Sequence, residues 1–222
     1  MSVADIVEVR APALESLGIS GDRPLLIVDV DEVLGLFMDG FGRFLEGRGL
    51  EMRIERFALF QSIFRPGETT HLEIEEGRRH FDDFFRYGSS DMTPAPGGAD
   101  ALRALSARAG VLILTNAPGP GRLARARWLG RSGLDYPMLL SSGRKGPLVA
   151  ALARQVAGPV AFIDDLMSNL DSVAEAAPQV ARFQMVADPR LRPFAPSAPE
   201  RHARHDEWPD LHRALEAMMD AR

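Results

Sequence analysis

The stretch LLIVDVDEVLG at 25–35 decides the fold. Apart from Asp29, residues 25–30 are apolar on both faces, the mark of a strand buried inside a parallel sheet. Working outward, runs of the same type recur at 111–114, 138–140, 160–163 and 181–186. Between them the apolar spacing is helical, at 98–108, 120–129, 146–156, 167–177 and 207–219. Strand–helix alternation of this kind predicts an α/β core, a parallel sheet with helices on both faces. That core is assigned to residues 1–36 and 93–222.

The alternation breaks once. Residues 37–92 hold no convincing buried strand and show helix-like spacing instead: Phe41, Phe44, Leu45 and Leu50, then Phe57, Leu59, Phe60, Ile63 and Phe64, and after Pro66-Gly67 a third set with Ile74, His80, Phe81, Phe84 and Phe85. Nine of the twelve phenylalanines fall here, enough apolar volume for a small subdomain core with a ring or two left to face a substrate. The segment reads as an all-helical cap domain, 37–92, with TPAPGG at 93–98 as the return linker. Residues 1–22 read as a short amphipathic helix burying Ile6, Val7, Val9, Leu14 and Leu17. The Pro/Arg-rich stretch 188–206 reads as a surface loop before the closing helix.

Composition narrows the function. A length of 222 residues suits one large domain or a core with a small insertion. A net charge of −5 gives no support for a nucleic-acid polymer or an anionic membrane as partner. The absence of cysteine excludes disulfides, thiolate metal sites and cysteine nucleophiles, and is compatible with a reducing cytoplasm. The first residues lack the apolar core of a secretory signal, and no run approaches the ~18–20 apolar residues that span a bilayer. The expected setting is therefore cytoplasmic.

Polar residues stand where the apolar strands end, which is where ligands bind in parallel sheets. Asp29 and Asp31 lie two apart, so strand alternation sends both to one side. Such close carboxylates repel unless a cation compensates or one holds a proton. Magnesium is the natural compensating ion for hard oxygen ligands. One carboxylate could then act as a nucleophile and the other as a general acid and base. Thr115 closes the next strand, and its hydroxyl with the N–H groups around Asn116 could hold phosphoryl oxygens, although Thr-Asn is also an ordinary helix-capping pair. Asp164 and Asp165 end a third strand, with Asn169 shortly after; a helix N-terminal acidic cluster would look the same. Between them stands Lys145, the one lysine among 26 basic residues. Where arginine serves everywhere else, a lone lysine marks a place that needs a compact ammonium. No Ser-His-Asp arrangement competes: Ser141, Ser142 and Ser168 lack a nucleophile-elbow context, and the five histidines lie in the insert or the tail.

Taken in order, DVDEVL at 29–34, the strand ending in Thr115, Lys145, and IDD with Asn169 resemble the four motifs of the haloacid dehalogenase superfamily. The resemblance covers about residues 23–187. It implies a Rossmann-like three-layer sandwich with strand order 5-4-1-2-3 and a helical cap of the first type inserted after the first core strand. It also implies roles: Asp29 as nucleophile and metal ligand, Asp31 as acid/base with its backbone carbonyl on the metal, Thr115 and Asn116 as phosphate-binding groups, and Lys145 as the neutralising cation. Asp165 would be a direct ligand of Mg2+, with Asp164 and Asn169 behind it. The implied activity is a magnesium-dependent hydrolase, a phosphatase releasing phosphate from a small phosphomonoester through an aspartyl-phosphate. A mutase on the same fold and a phosphate-binding scaffold without turnover remain alternatives. Asp31 argues against a true dehalogenase, which lacks that acid. Glu32 departs from the family pattern, which often has glycine there, and puts rate and substrate in question. DVDEVLGLFMDGFGRF also has some likeness to the opening of the deoxyribonucleotidase branch. All of this requires Asp29 and Asp165 to lie within about 10 Å of one another, the reach of one divalent ion.

Overall fold

A computed structural model describes residues 11–221. Six parallel strands form the sheet: β1 (Leu25–Val28), β2 (Gly110–Thr115), β3 (Met138–Leu140), β4 (Val160–Asp164), β5 (Ala181–Gln184) and β6 (Ala203–Arg204). Their spatial order is β6-β5-β4-β1-β2-β3. This is the expected 5-4-1-2-3 order with one strand added at the edge.

Alternation along the strands builds three layers. Leu25 and Ile27 of β1 join Leu112, Leu114 and Phe162 in a core covered by α5 (Gly146–Ala153) and α6 (Met167–Ala176). Leu26 and Val28 face the other way with Val111, Ile113 and Ile163, under α3 (Gly98–Ser106), α4 (Arg122–Arg131) and α7 (Trp208–Asp220). Because helices cover both faces, the strands read as continuous apolar runs.

The insert leaves β1 through Gly35–Leu36 and returns through Thr93–Pro94, and these two dipeptides pair antiparallel. Gly35 is needed there, since a Cβ on it would stand 2.8 Å from both Met92 and the Trp128 ring. Within the insert, α1 (Phe37–Glu46) and α2 (Ile74–Asp83) are helical as expected, and α2 runs on into a wider π turn, Phe84–Gly88. The insert is not wholly helical. Residues 57–64, whose spacing suggests a helix, form a loop, a 3-10 turn (Phe60–Ser62) and a strand, Ile63–Phe64, paired with Glu51–Met52. The Ser62 hydroxyl bonds the Ala58 carbonyl at 2.6 Å, a local alternative to helical pairing. The aromatic cluster of the insert, with Phe41 and Phe84 fully buried, is continuous with the sheet core through Trp128 and Met92.

Two further expectations change. Ile6, Val7 and Val9 lie outside the described residues. Leu14–Leu17 forms a single 3-10 turn, which buries Leu14 and ends at Gly18 in the left-handed conformation. The stretch 188–206 is more than a surface loop: Asp188, Leu191 and His202 are buried, and its end supplies β6. Two residues of edge strand are too short to leave a hydrophobic pattern.

Candidate active site

Parallel register places the site. β1 pairs with β4 so that Val28 lies beside Ile163, and with β2 so that Val28 lies beside Ile113. One step further, the Asp29 N–H donates to the Ile163 carbonyl at 3.0 Å, bringing Asp29 next to Asp164. Oxygens of Asp29, Asp164 and Asp165 all lie within 4.8 Å of one another, and all three residues are buried. Two of the strand ends that the sequence marks, those of β1 and β4, thus come together, and the third, that of β2, belongs to the strand paired with β1 on its other side.

Lys145 sits among them, fully buried, its Nζ 2.8 Å from Asp29 Oδ1 and 2.8 Å from Asp164 Oδ2. Its position is fixed from behind. Gly146 opens α5 hard against α6, where a Cβ would stand 2.1 Å from the Ser172 carbonyl oxygen, and its N–H donates to Ser172 Oγ at 3.1 Å. An ammonium that must meet two carboxylates in a closed space is a task for lysine, since a guanidinium fork is larger and planar.

Asp164 is saturated. Its oxygens accept the Leu166 N–H at 2.9 Å, both reaches of the Asn169 amide at 3.0 and 3.1 Å, and Lys145. Asp165 offers its carboxylate to the cavity instead, while its backbone carbonyl accepts Gln184 Nε2 at 3.1 Å. Burial pushes the Asp29 carboxyl up to about 7, against the pull of Lys145 and helped by Asp164. Burial, Asp164 and Asp29 likewise raise Asp165 well above the carboxylate range. Burial works against the Lys145 ammonium, yet Asp164 and Asp29 hold it charged. Were all three acids ionised, their charge would exceed that of the one ammonium; the raised Asp29 and Asp165 carboxyls are the expression of that conflict, which a proton or a cation must relieve.

Thr115 ends β2 fully buried, and its Oγ1 has no hydrogen-bond partner. A buried hydroxyl without a partner is uncommon and points to a ligand. The Asn116 side chain is spent locally: its Nδ2 donates to the Gly143 carbonyl at 2.9 Å, and its Oδ1 accepts the Ser141 hydroxyl. Any part it plays toward a ligand falls to its backbone N–H.

Asp31 stands outside the acidic trio. Both its oxygens accept hydrogen bonds from Arg125 Nη2, at 2.7 and 2.8 Å, and Arg125 is fully buried in α4. The sequence reading missed Arg125, although it lies on the same helix face as Trp128 and Leu129, three and four residues on, which was the available signal.

Glu32 adopts φ 60°, the left-handed conformation that favours glycine. It is buried, with Oε1 accepting the Met38 N–H of α1 at 2.8 Å and Oε2 accepting the Asp188 N–H at 3.3 Å. Burial, chiefly, pushes its carboxyl up to about 8.

Asp29, Asp31, Glu32, Asn116, Lys145 and Asp165 open onto a cavity of about 320 Å³ whose other wall is the insert, while Thr115, Asp164 and Arg125 do not line it. Arg53 and Arg65 do not line it: Arg53 pairs with Glu51 and lies over the Phe64 ring, and Arg65 pairs with Glu76.

No protein-family model and no curated protein matches the chain. Solved structures do. A Bacillus subtilis protein assigned as a HAD-hydrolase, solved bound to magnesium, superposes with a TM-score of 0.61 at 13% identity, over 87% of this chain and 99% of that one. A haloacid dehalogenase-like protein of unknown function from Agrobacterium tumefaciens gives 0.58 at 19% identity, over 87% and 98%. A Thermotoga maritima protein assigned as a β-phosphoglucomutase gives 0.54 at 18%, over 87% and 99%. The architecture that carries Asp29, Thr115, Lys145 and Asp165 is that of the haloacid dehalogenase-like fold.

Proposed function

We propose that this chain is a magnesium-dependent phosphatase that hydrolyses a small phosphomonoester through an aspartyl-phosphate on Asp29. One observation carries the reading: three buried carboxylates and one buried ammonium meet at the ends of β1 and β4, and the adjacent strand β2 ends in a partnerless buried hydroxyl. The donor set fits magnesium, being all oxygen, and a hard cation would let Asp29 and Asp165 ionise instead of holding protons. Asp29 and Asp165 would hold the ion directly with the Asp31 backbone carbonyl, and Asp164 from behind. Bound there, magnesium would neutralise the carboxylates and draw charge from the phosphoryl oxygens.

The remaining steps belong to the chain's own residues. Lys145 fixes Asp29 by its ion pair and offsets charge on the transferring group. The Thr115 hydroxyl donates to a phosphoryl oxygen, with the Asn116 N–H beside it. The free oxygen of Asp29 attacks phosphorus and the leaving oxygen departs. Asp31, freed from one of its Arg125 contacts, gives that oxygen a proton and then takes one from the water that releases phosphate. The insert forms the roof that keeps other water out. Substrate is taken to be a small molecule met in the cytoplasm rather than a nucleic-acid polymer or a membrane lipid; no described helix is long and apolar enough to cross a membrane. The likeness to the Thermotoga protein keeps phosphate transfer to a second substrate hydroxyl as the other reading.

Phosphate release from a panel of esters tests the proposal. Wild type should lose activity with a chelator, and Asp29→Asn should fall by roughly 10³-fold or more. Release that survives both treatments would defeat it; an isomeric phosphate with little free phosphate would favour the mutase.

A further inference from the structure

The wall opposite the carboxylates has a chemistry of its own. The insert contributes Phe37, Met38, Phe57, Leu59 and Phe81 to the cavity, and from the core Leu166 projects into the same space, a large apolar side chain left 38% exposed. None of the insert's arginines lines it. A second phosphate would find no cation beyond those at the strand ends, and a sugar's hydroxyls would give up water without gaining partners. An apolar group there would leave water for hydrocarbon, and three phenylalanine rings suit the edge or face of another ring.

Resting on the phosphatase reading, we propose that the leaving group is a small aromatic alcohol: the substrate is an aryl phosphate with no second charged group. The bond change is simple. Asp29 oxygen bonds to phosphorus, the phosphorus–oxygen bond to the ring breaks, and the electron pair leaves on the phenol oxygen. Water then restores Asp29 and releases phosphate. A phenol departs more easily than an ordinary alcohol, so it asks less of Asp31, both of whose oxygens are occupied by Arg125.

The test compares 2-naphthyl phosphate and 2-phenylethyl phosphate with glucose 6-phosphate and deoxyadenosine 5′-monophosphate in the presence of magnesium. The phenylethyl ester has an apolar body but an ordinary alcohol as leaving group, which separates binding from intrinsic reactivity. Both apolar esters should exceed the polar ones in kcat/KM by about 100-fold. Phe57→Arg should erase most of that preference. Equal or reversed preference overturns the proposal while leaving the phosphatase reading intact. Titration calorimetry on Asp29→Asn with magnesium supplies an arm without turnover. A Kd for 2-naphthyl phosphate at least about 30-fold below that for glucose 6-phosphate supports the pocket assignment even where wild type hydrolyses nothing, in which case the reaction is what has been misread. Equal Kd values sink the assignment whatever the activity.

Discussion

At the strand ends, Lys145 touches Asp29 and Asp164, Asn169 holds Asp164, and Arg125 grips Asp31. Across the cavity, Phe41 touches the rings of Phe37, Phe44, Phe81 and Phe84, with centroids 5.3 to 6.4 Å apart. The first wall is built from specific pairs, so each member fails without its partner. The second is built from volume and shape, where loss is graded by how much surface is buried. One residue joins them: the Arg125 guanidinium that holds Asp31 also lies 5.0 Å from the centre of the Phe85 ring, a cation over an aromatic face. A chemistry that needs exact charge placement and a substrate that needs only a shaped hydrocarbon space would demand this division.

The largest effect should come from breaking a pair. Lys145→Met leaves Asp29, Asp164 and Asp165 buried together with no cation. Removing one partner of a buried ion pair costs about 3–5 kcal/mol. Activity should fall by roughly 10³-fold or more, since the proposed reaction uses the same ammonium. Thermal unfolding with and without magnesium reads the stability side: the ion should recover more stability in the variant than in wild type. An unchanged melting temperature without magnesium would mean the strand-end wall is not a set of interdependent charges.

Next comes a graded loss within the apolar wall. Phe41 is fully buried, so Phe41→Ala should cost about 3–5 kcal/mol by denaturant midpoint. Phe57 is only partly buried and faces the cavity, so Phe57→Ala should cost under about 1 kcal/mol. Similar losses at both positions would show that the cavity rings are structural fill rather than a surface kept for a ligand.

The strand-end wall was far more legible in the sequence than the apolar one, for a physical reason. Buried parallel strands are short continuous apolar runs, and the polar residue that ends each of them is conspicuous. Asp29, Thr115 and Asp164 could therefore be picked out, and Lys145 by its singularity. Arg125 could not be separated from the other arginines by type, only by its place on a buried helix stripe. The insert hides more. Phe57 to Phe64 has helical spacing, but pairing of Ile63 and Phe64 with Met52 and Glu51 is a tertiary event that local periodicity does not encode. β6 exists because β5 offers an edge, which no pattern in 188–206 announces. Glu32 stood out as a departure from glycine, yet only the backbone shows that the position keeps the left-handed conformation glycine would favour.

Glu32 is where the two walls can be compared on one side chain, with the smallest expected effect. It stands in the loop after β1 but bonds the first turn of α1 through Met38 and the 188 loop through Asp188. Replacing it by glycine relieves about 1 kcal/mol of left-handed strain. It also strands two buried N–H groups, at about 1–3 kcal/mol each, so Glu32→Gly should be less stable despite the easier backbone. The pH dependence gives a cleaner signature. Burial raises the folded carboxyl to about 8 from an ordinary 4.5. Between those values the folded chain holds a proton that the unfolded chain has released. Stability from this group is therefore complete below the lower value, declines as pH rises through the window and levels off above the upper one. The slope cannot exceed about 1.4 kcal/mol per pH unit. Asp29 and Asp165 slope the same way, so the measurement is a difference: urea midpoints of wild type and Glu32→Gln from pH 5 to 8 without magnesium. Wild type should lose stability faster than the variant across that range. Parallel curves would mean Glu32 is charged in the folded protein, and the contact from the loop after β1 to α1 would then belong with the paired charges rather than with the neutral wall.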